Sequence, residues 1–188
     1  MRLIGIAGRS GSGKTLAAAF LAAELLDNGY TAKLEAFAVP VKREIRIAQR
    51  RDHIDKDTDR GAMQRYGAAM RAGNPQWFVR EMVDRNNIDS ALWHLLTEPW
   101  EPAEFLIIGD VRYPNEAEFI RKRAGVLWFV DGSHRPLEGD AALHESESHT
   151  TALLAMADVV VAPGLDHGQL RELVRRLVRK RDHLWGTM

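Results

Sequence analysis

Gly8-Arg9-Ser10-Gly11-Ser12-Gly13-Lys14-Thr15 directly follows the apolar run Leu3-Ile4-Gly5-Ile6-Ala7 and leads into Leu16-Ala17-Ala18-Ala19-Phe20-Leu21-Ala22-Ala23. Glycines at this spacing let backbone N–H groups turn inward around an anion, and a helix beginning near Lys14 aims the positive end of its dipole at the same point. The segment therefore reads as a phosphate-binding P-loop between a buried strand and an Ala-rich helix. Arg9, Ser10, Gly11, Ser12, Gly13, Lys14 and Thr15 are expected to hold the phosphates of ATP. Lys14 would reach the β- and γ-phosphates, and Thr15 would place a hydroxyl on Mg²⁺. An ordinary Gly-rich turn is the plain alternative, and the flanking strand and helix argue against it.

With 188 residues the chain suits one α/β domain able to bury a sizeable core. Lys and Arg number 26 and so do Asp and Glu, so no net field draws the protein to nucleic acid or an anionic membrane. The absence of cysteine excludes disulfides, thiolate metal sites and a cysteine nucleophile, as befits a cytoplasmic protein. No apolar segment approaches membrane-spanning length, and Met1-Arg2 leads at once into a strand, leaving no room for a signal peptide.

Short apolar runs alternate with helical periods. Strands are predicted at 3–7, 31–36, 105–108, 126–130 and 158–161. Helices are predicted from about residue 14 to 28, with Gly29 as a stop, then over 39–49, 60–72, 75–96 and 114–124. A final helix carries Leu170, Leu173, Val174, Leu177 and Val178 on one stripe with arginines opposite. Residues 131–150 are polar and contain Gly, Pro and three histidines, as a mobile flap would. Alternation of this kind implies a mainly parallel five-stranded sheet with helices on both faces, whose ligands gather at the carboxyl ends of the strands.

Asp110 belongs to that edge, because it follows an apolar strand. Its carboxylate is suited to holding Mg²⁺ directly or through water, to binding a substrate hydroxyl, or to capping the helix that starts near Tyr113.

Beyond the P-loop, Phe37-Ala38-Val39-Pro40-Val41-Lys42, Met63-Gln64-Arg65-Tyr66-Gly67-Ala68-Ala69-Met70-Arg71, Trp77, Asp110-Val111-Arg112-Tyr113-Pro114-Asn115-Glu116, His144-Glu145-Ser146-Glu147 and Ala157-Asp158-Val159-Val160-Val161 resemble, in order and approximate spacing, the phage deoxynucleoside monophosphate kinases. The resemblance spans nearly the whole chain. It implies a three-layer P-loop kinase fold in a single domain over 1–188, with an acceptor-binding helical region at about 37–96 and a lid at about 131–150. The implied activity moves the γ-phosphate of ATP onto the 5′-phosphate of a deoxynucleoside monophosphate, with Mg²⁺, in the cytoplasm, or that of the host if phage-encoded. It implies neither a nucleic acid nor a membrane partner, and a homodimer stays open. Phe37, Lys42, Gln64, Arg71, Trp77, Asp110, Arg112 and Glu116 are the implied acceptor residues, with Lys14, Asp110, Arg112 and Arg135 at the reacting phosphates and His144 on ATP. Many relatives place an acidic residue between the P-loop lysine and its hydroxyl residue, whereas here Thr15 follows Lys14 at once. Where relatives often have an arginine just after the fourth strand, this chain has Asp131-Gly132-Ser133-His134-Arg135, which makes Arg135 the substitute.

Phosphoryl transfer concentrates negative charge, so positioning and cations are what it asks of a protein. Arg112 suits bidentate anion binding, or else a surface ion pair with Glu116 at helical spacing. Lys42 and Arg43 suit the acceptor phosphate, or a solvated helix face. Gln64 and Arg71 are seven residues apart and share a face of a helix. Trp77 either stacks on a nucleobase or belongs to the core.

In His144-Glu145-Ser146-Glu147-Ser148-His149 the histidines are five apart, about 140° around a helix, which does not suit a helical zinc site. The segment reads as a lid that excludes water, or as a plain polar loop. The arginines between 171 and 181 read as a solvated face rather than a nucleic-acid surface. Two other functions stay open: a P-loop kinase acting on another small molecule, and a nucleotide switch or nucleic-acid-dependent ATPase. A guanine-specific switch would carry an Asn-Lys-x-Asp motif, which the sequence lacks.

Overall fold

The computed structural model describes residues 1–54, 58–88, 103–131 and 148–180. They fall into two compact units, Met1–Glu35 with Trp100–Met188, and Ala36–Pro99.

The first unit holds strands β1 (Arg2–Gly8), β2 (Ala32–Glu35), β3 (Phe105–Val111), β4 (Val126–Val130) and β5 (Val159–Val161). They form one sheet in the order β2-β3-β1-β4-β5, and every pairing is parallel. Parallel neighbours need long crossovers, so helices cover both faces. Helix α1 (Lys14–Asp27) and the last helix, α7 (His167–Lys180), pack on one face. There Ile4, Ile6, Phe105, Ile107, Val126, Trp128 and Val161 meet Ala17, Leu21, Leu25, Leu170, Val174 and Val178. The alternate residues Leu3, Leu106, Ile108, Leu127 and Phe129, equally buried, serve the opposite face. Helices α5 (Pro114–Arg121) and α6 (Thr150–Ala155) pack against β1 from that side. Near-continuous apolar strands follow directly from burial on both faces.

The second unit contains α2 (Val39–Gln49), α3 (Arg60–Gly73) and α4 (Trp77–Asn86). Phe37, Val41, Ile45, Phe78 and Met82 are its buried apolar residues.

The expected elements are present, with changed ends. β3 runs past Ile108 to Val111, because Val111 pairs with Ala7 across an irregularity in register between Gly5 and Ala7. The helix expected over 75–96 begins at Trp77, and its described part ends at Asn86, where Asn87 turns left-handed with φ 49°. Residues 89–96 of that expectation lie outside the described residues. α6 was not expected, since six residues are too few for a legible period. The arginine face of α7 is only partly solvated. Arg175 and Arg171 turn to Glu24 of α1, at 3.3 and 3.8 Å, and that carboxylate is only 4% exposed. Among the described residues, no helix is long and apolar enough to cross a membrane.

The turn into β4 is set by two small residues. Ala124 is left-handed with φ 54°, and the Gly125 N–H donates to the Ile120 carbonyl at 3.0 Å, closing the end of α5. A Cβ on Gly125 would lie 2.7 Å from the Leu3 carbonyl oxygen and 2.8 Å from that of Ile120. Neither backbone atom can step aside. Gly125→Ala should therefore cost about 3 kcal/mol, whereas Ala124→Gly should be neutral or stabilise by up to about 1 kcal/mol. Urea unfolding of the full chain compares the two, and coincident midpoints would contradict this account.

Candidate functional site

β1 ends at Gly8 in the middle of the sheet, and the chain must turn there without covering the strand ends. Gly8 has φ 139°, and a Cβ on it would fall on the Val130 carbonyl oxygen of β4. Only glycine permits so close an approach. The Ser12 N–H donates to the Arg9 carbonyl at 3.2 Å, and the Ala17 N–H donates to Gly13 at 2.9 Å, so the loop curls into the first turn of α1. Gly13, left-handed, is the N-cap of that helix, and no side chain caps it. The leading N–H groups of α1 thus have no side-chain cap, an arrangement that suits an anion at a helix start.

Lys14 is 8% exposed. Its Nζ donates to the Gly8 carbonyl at 2.7 Å and to the Arg9 carbonyl, which folds the ammonium back over the loop. The Ser12 hydroxyl is buried and has no hydrogen-bond partner among the described residues. A buried hydroxyl left unmade costs about 1–3 kcal/mol. A phosphate oxygen inside the loop would satisfy it and exchange with the carbonyls on Lys14. The residues present thus fit a phosphate group.

β3, the neighbour of β1, brings Asp110 to the same sheet edge, one residue before the Ala7–Val111 pair. Thr15 is exposed on the first turn of α1, and a carboxylate and a hydroxyl are both hard oxygen donors of the kind Mg²⁺ takes. Among the described residues, no cluster of three or more His, Asp or Glu side chains forms a metal cage of its own.

The turn after β3 is organised by Glu116, a side chain only 1% exposed. One of its oxygens accepts the N–H of Arg112 at 2.8 Å and the N–H of Tyr113 at 3.2 Å. Glu116 thereby caps α5, the task considered above for Asp110. It also leaves the Arg112 guanidinium without the ion pair that i,i+4 spacing suggested. Arg112 is exposed and forms no ion pair among the described residues.

In the second unit, Arg71 lies with its guanidinium 3.9 Å from the centroid of the Phe78 ring, a cation–π contact. Trp77 meets Phe78 edge-on at 4.8 Å and Tyr66 at 6.5 Å, and it is half-buried. Phe37 is buried. Lys42 and Gln64 are half-buried, and Lys42 makes no ion pair among the described residues. Arg43 pairs with its neighbour Glu44 at 2.9 Å. Arg135 and His144, and with them residues 132–147 of the expected lid, lie outside the described residues.

Asp131 and His149, from the two ends of the expected lid at 131–150, are among the described residues. Asp131 follows β4, its N–H donating to the Val161 carbonyl at 3.0 Å, next to the strand end that abuts Gly8. His149 precedes α6 and packs its ring on Tyr113. No spacing signal links His149 to Tyr113, so only the fold could reveal the pair.

Neither a protein-family model nor a curated protein matches the chain. Among solved structures, the protein APE1195 is similar over 95% of each chain, at 15% identity and a TM-score of 0.50. Shikimate kinase from Acinetobacter baumannii, solved with shikimate, matches 96% of this chain and 92% of its own at 14% identity and a TM-score of 0.47. The APS kinase CysC of Mycobacterium tuberculosis matches 95% of this chain and 96% of its own, at 14% identity and a TM-score of 0.45. Likeness at such identities speaks to the fold alone.

The Glu116 clamp can be measured. Glu116→Ala strands two backbone donors and should cost about 2 kcal/mol, whereas Glu116→Gln keeps an acceptor and should lose about 1. Chemical denaturation reads both. An alanine variant as stable as the parent would remove Glu116 as the cap of α5.

Proposed function

We propose that this protein is an ATP-dependent phosphotransferase whose acceptor is the 5′-phosphate of a deoxynucleoside monophosphate. The observation that carries the phosphotransfer reading is the P-loop itself. Its lysine ammonium is folded over inward-turned backbone, a buried hydroxyl awaits a partner, and the uncapped start of α1 points into the same place. The deoxynucleotide acceptor rests on the resemblance of the sequence motifs.

In this reading Arg9 to Thr15 cradle the ATP phosphates, and Lys14 neutralises charge on the transferring group. Thr15 and Asp110 hold Mg²⁺, which when bound supplies charge neutralisation between the phosphates. Arg112 offers a second cation at the phosphates. Lys42, Gln64 and Arg71 recognise the acceptor, with Phe37, Trp77 and Glu116 the remaining acceptor residues. Glu116 acts by holding the Arg112 backbone, since its carboxylate is occupied by two N–H groups. Arg135 and His144, in the lid segment between β4 and α6, serve the reacting phosphates and ATP. The protein works in the cytoplasm, in that of the host if it is phage-encoded, as a monomer or homodimer.

The test is ADP release with each nucleoside monophosphate in turn. Turnover with deoxynucleoside monophosphates is expected, and Lys14→Ala should lower kcat/KM about a thousandfold while the protein still folds. Turnover only with a non-nucleotide alcohol would replace the acceptor, and hydrolysis stimulated only by DNA would replace the reaction class. A Lys14→Ala variant of normal activity would remove the lysine from its role.

The braced guanidinium of Arg71 is a second point of attack. Arg71→Ala should raise KM for the acceptor about tenfold while KM for ATP stays within about twofold. Equal changes in the two constants would mean that Arg71 does not serve the acceptor.

A further inference from the structure

Arg112 has an exposed guanidinium, and the backbone that carries it is held with unusual care. From one side the buried Glu116 carboxylate grips the N–H groups of both Arg112 and Tyr113. From the other, the imidazole of His149 lies against the Tyr113 ring, with centroids 5.1 Å apart and planes tilted by 52°. Tyr113 is 8% exposed, so its ring is a buried handle on the peptide that follows Arg112. His149 is itself placed by tertiary structure. It leads directly into α6, whose Leu153 is 2% exposed and which packs on β1 and α5. A flexible arginine delivers charge to a reacting phosphate only if its backbone is fixed to a fraction of an ångström, and small misplacements at such sites cost large factors in rate.

We propose that His149 is a positioning residue for Arg112, acting through the face of Tyr113. It links the sheet edge that carries Asp110 to the chain entering α6. The inference rests on the reading of Arg112 as a phosphate-contacting cation. Its chemistry is ring packing and requires no proton transfer. A flat side chain at position 149 is the requirement, and a nitrogen there is not.

The experiment uses the full chain, with ADP release from ATP and an equimolar mixture of dAMP, dGMP, dCMP and dTMP as the activity readout. His149→Ala should lower kcat about tenfold with KM for ATP within about twofold, and His149→Phe should recover most of the loss. Arg112→Ala should lower kcat further, and the double variant His149→Ala/Arg112→Ala should be no slower than Arg112→Ala alone. Multiplying losses would overturn the proposal, because His149 would then act elsewhere. An Arg112→Ala variant of full activity would overturn it together with the reading of Arg112, while loss of activity in Lys14→Ala would still uphold phosphotransfer. Hydrogen exchange supplies a readout independent of any substrate. The Arg112 and Tyr113 amides should exchange about tenfold faster in His149→Ala while β1 amides stay protected, and unchanged exchange would overturn the proposal. If the alanine variant fails to fold, His149→Leu fills the same space without a flat ring, and full activity in that variant would be equally fatal.

Discussion

β1 lies between β3 and β4; the chain leaves β1 toward β2 on one side of the sheet and leaves β3 toward β4 on the other. That reversal falls between β1 and β3, and the carboxyl ends of these two strands are the place on such a sheet where neither crossover covers the strand ends. Along this edge lie the loop after Gly8, Asp110 near the end of β3 and Arg112 in the turn that follows. The close approach of Gly8 to the Val130 carbonyl seats the loop hard against β4. The sheet thus sets the position of the loop, and the loop sets that of Lys14.

The buried polar groups divide by purpose. Glu24 ties α1 to α7 through Arg171 and Arg175, which steadies the helix whose first turn carries Lys14. In the second unit Asp59 pairs with Arg51 at 3.0 Å. Glu116 holds the N–H groups of Arg112 and Tyr113. Against these satisfied groups stand the Ser12 hydroxyl and the Trp128 indole N–H, both buried and without a partner among the described residues. Trp128 is fully buried beneath α1 and α7, where the area of its ring outweighs one unmade hydrogen bond. Ser12 has no such compensation, and its place inside an anion-binding turn gives the cost a function.

The second unit is built on a smaller apolar inventory. Its aromatic group Tyr66, Trp77 and Phe78 and the guanidinium of Arg71 over Phe78 form a surface where α3 and α4 meet at Gly67, whose missing side chain leaves room for both Arg71 and Phe78. A cationic side chain thus takes part in the packing there.

Much of the first unit was legible in the sequence. Apolar runs bounded by Gly and Pro are a local signal, and the run from Leu3 into Gly8 to Thr15 determined a strand, a Gly-rich turn and a helix with no help from the rest of the chain. The α7 stripe of Leu170, Val174 and Val178 was equally local. Element ends were less legible, because they depend on partners: β3 reaches Val111 only because Ala7 lies beside it. Side-chain duties at the site depended on partners most of all. Spacing allowed Glu116 to pair with the Arg112 side chain, but the turn presents two N–H groups to the carboxylate, and charge-assisted bonds to a helix start win over an exposed ion pair. His149 meets Tyr113 only because α6 folds back onto β1 and α5. Residues distant in sequence acquire a joint role through packing, and the periodicity of a sequence reports which face of an element is apolar without saying which partner will cover it.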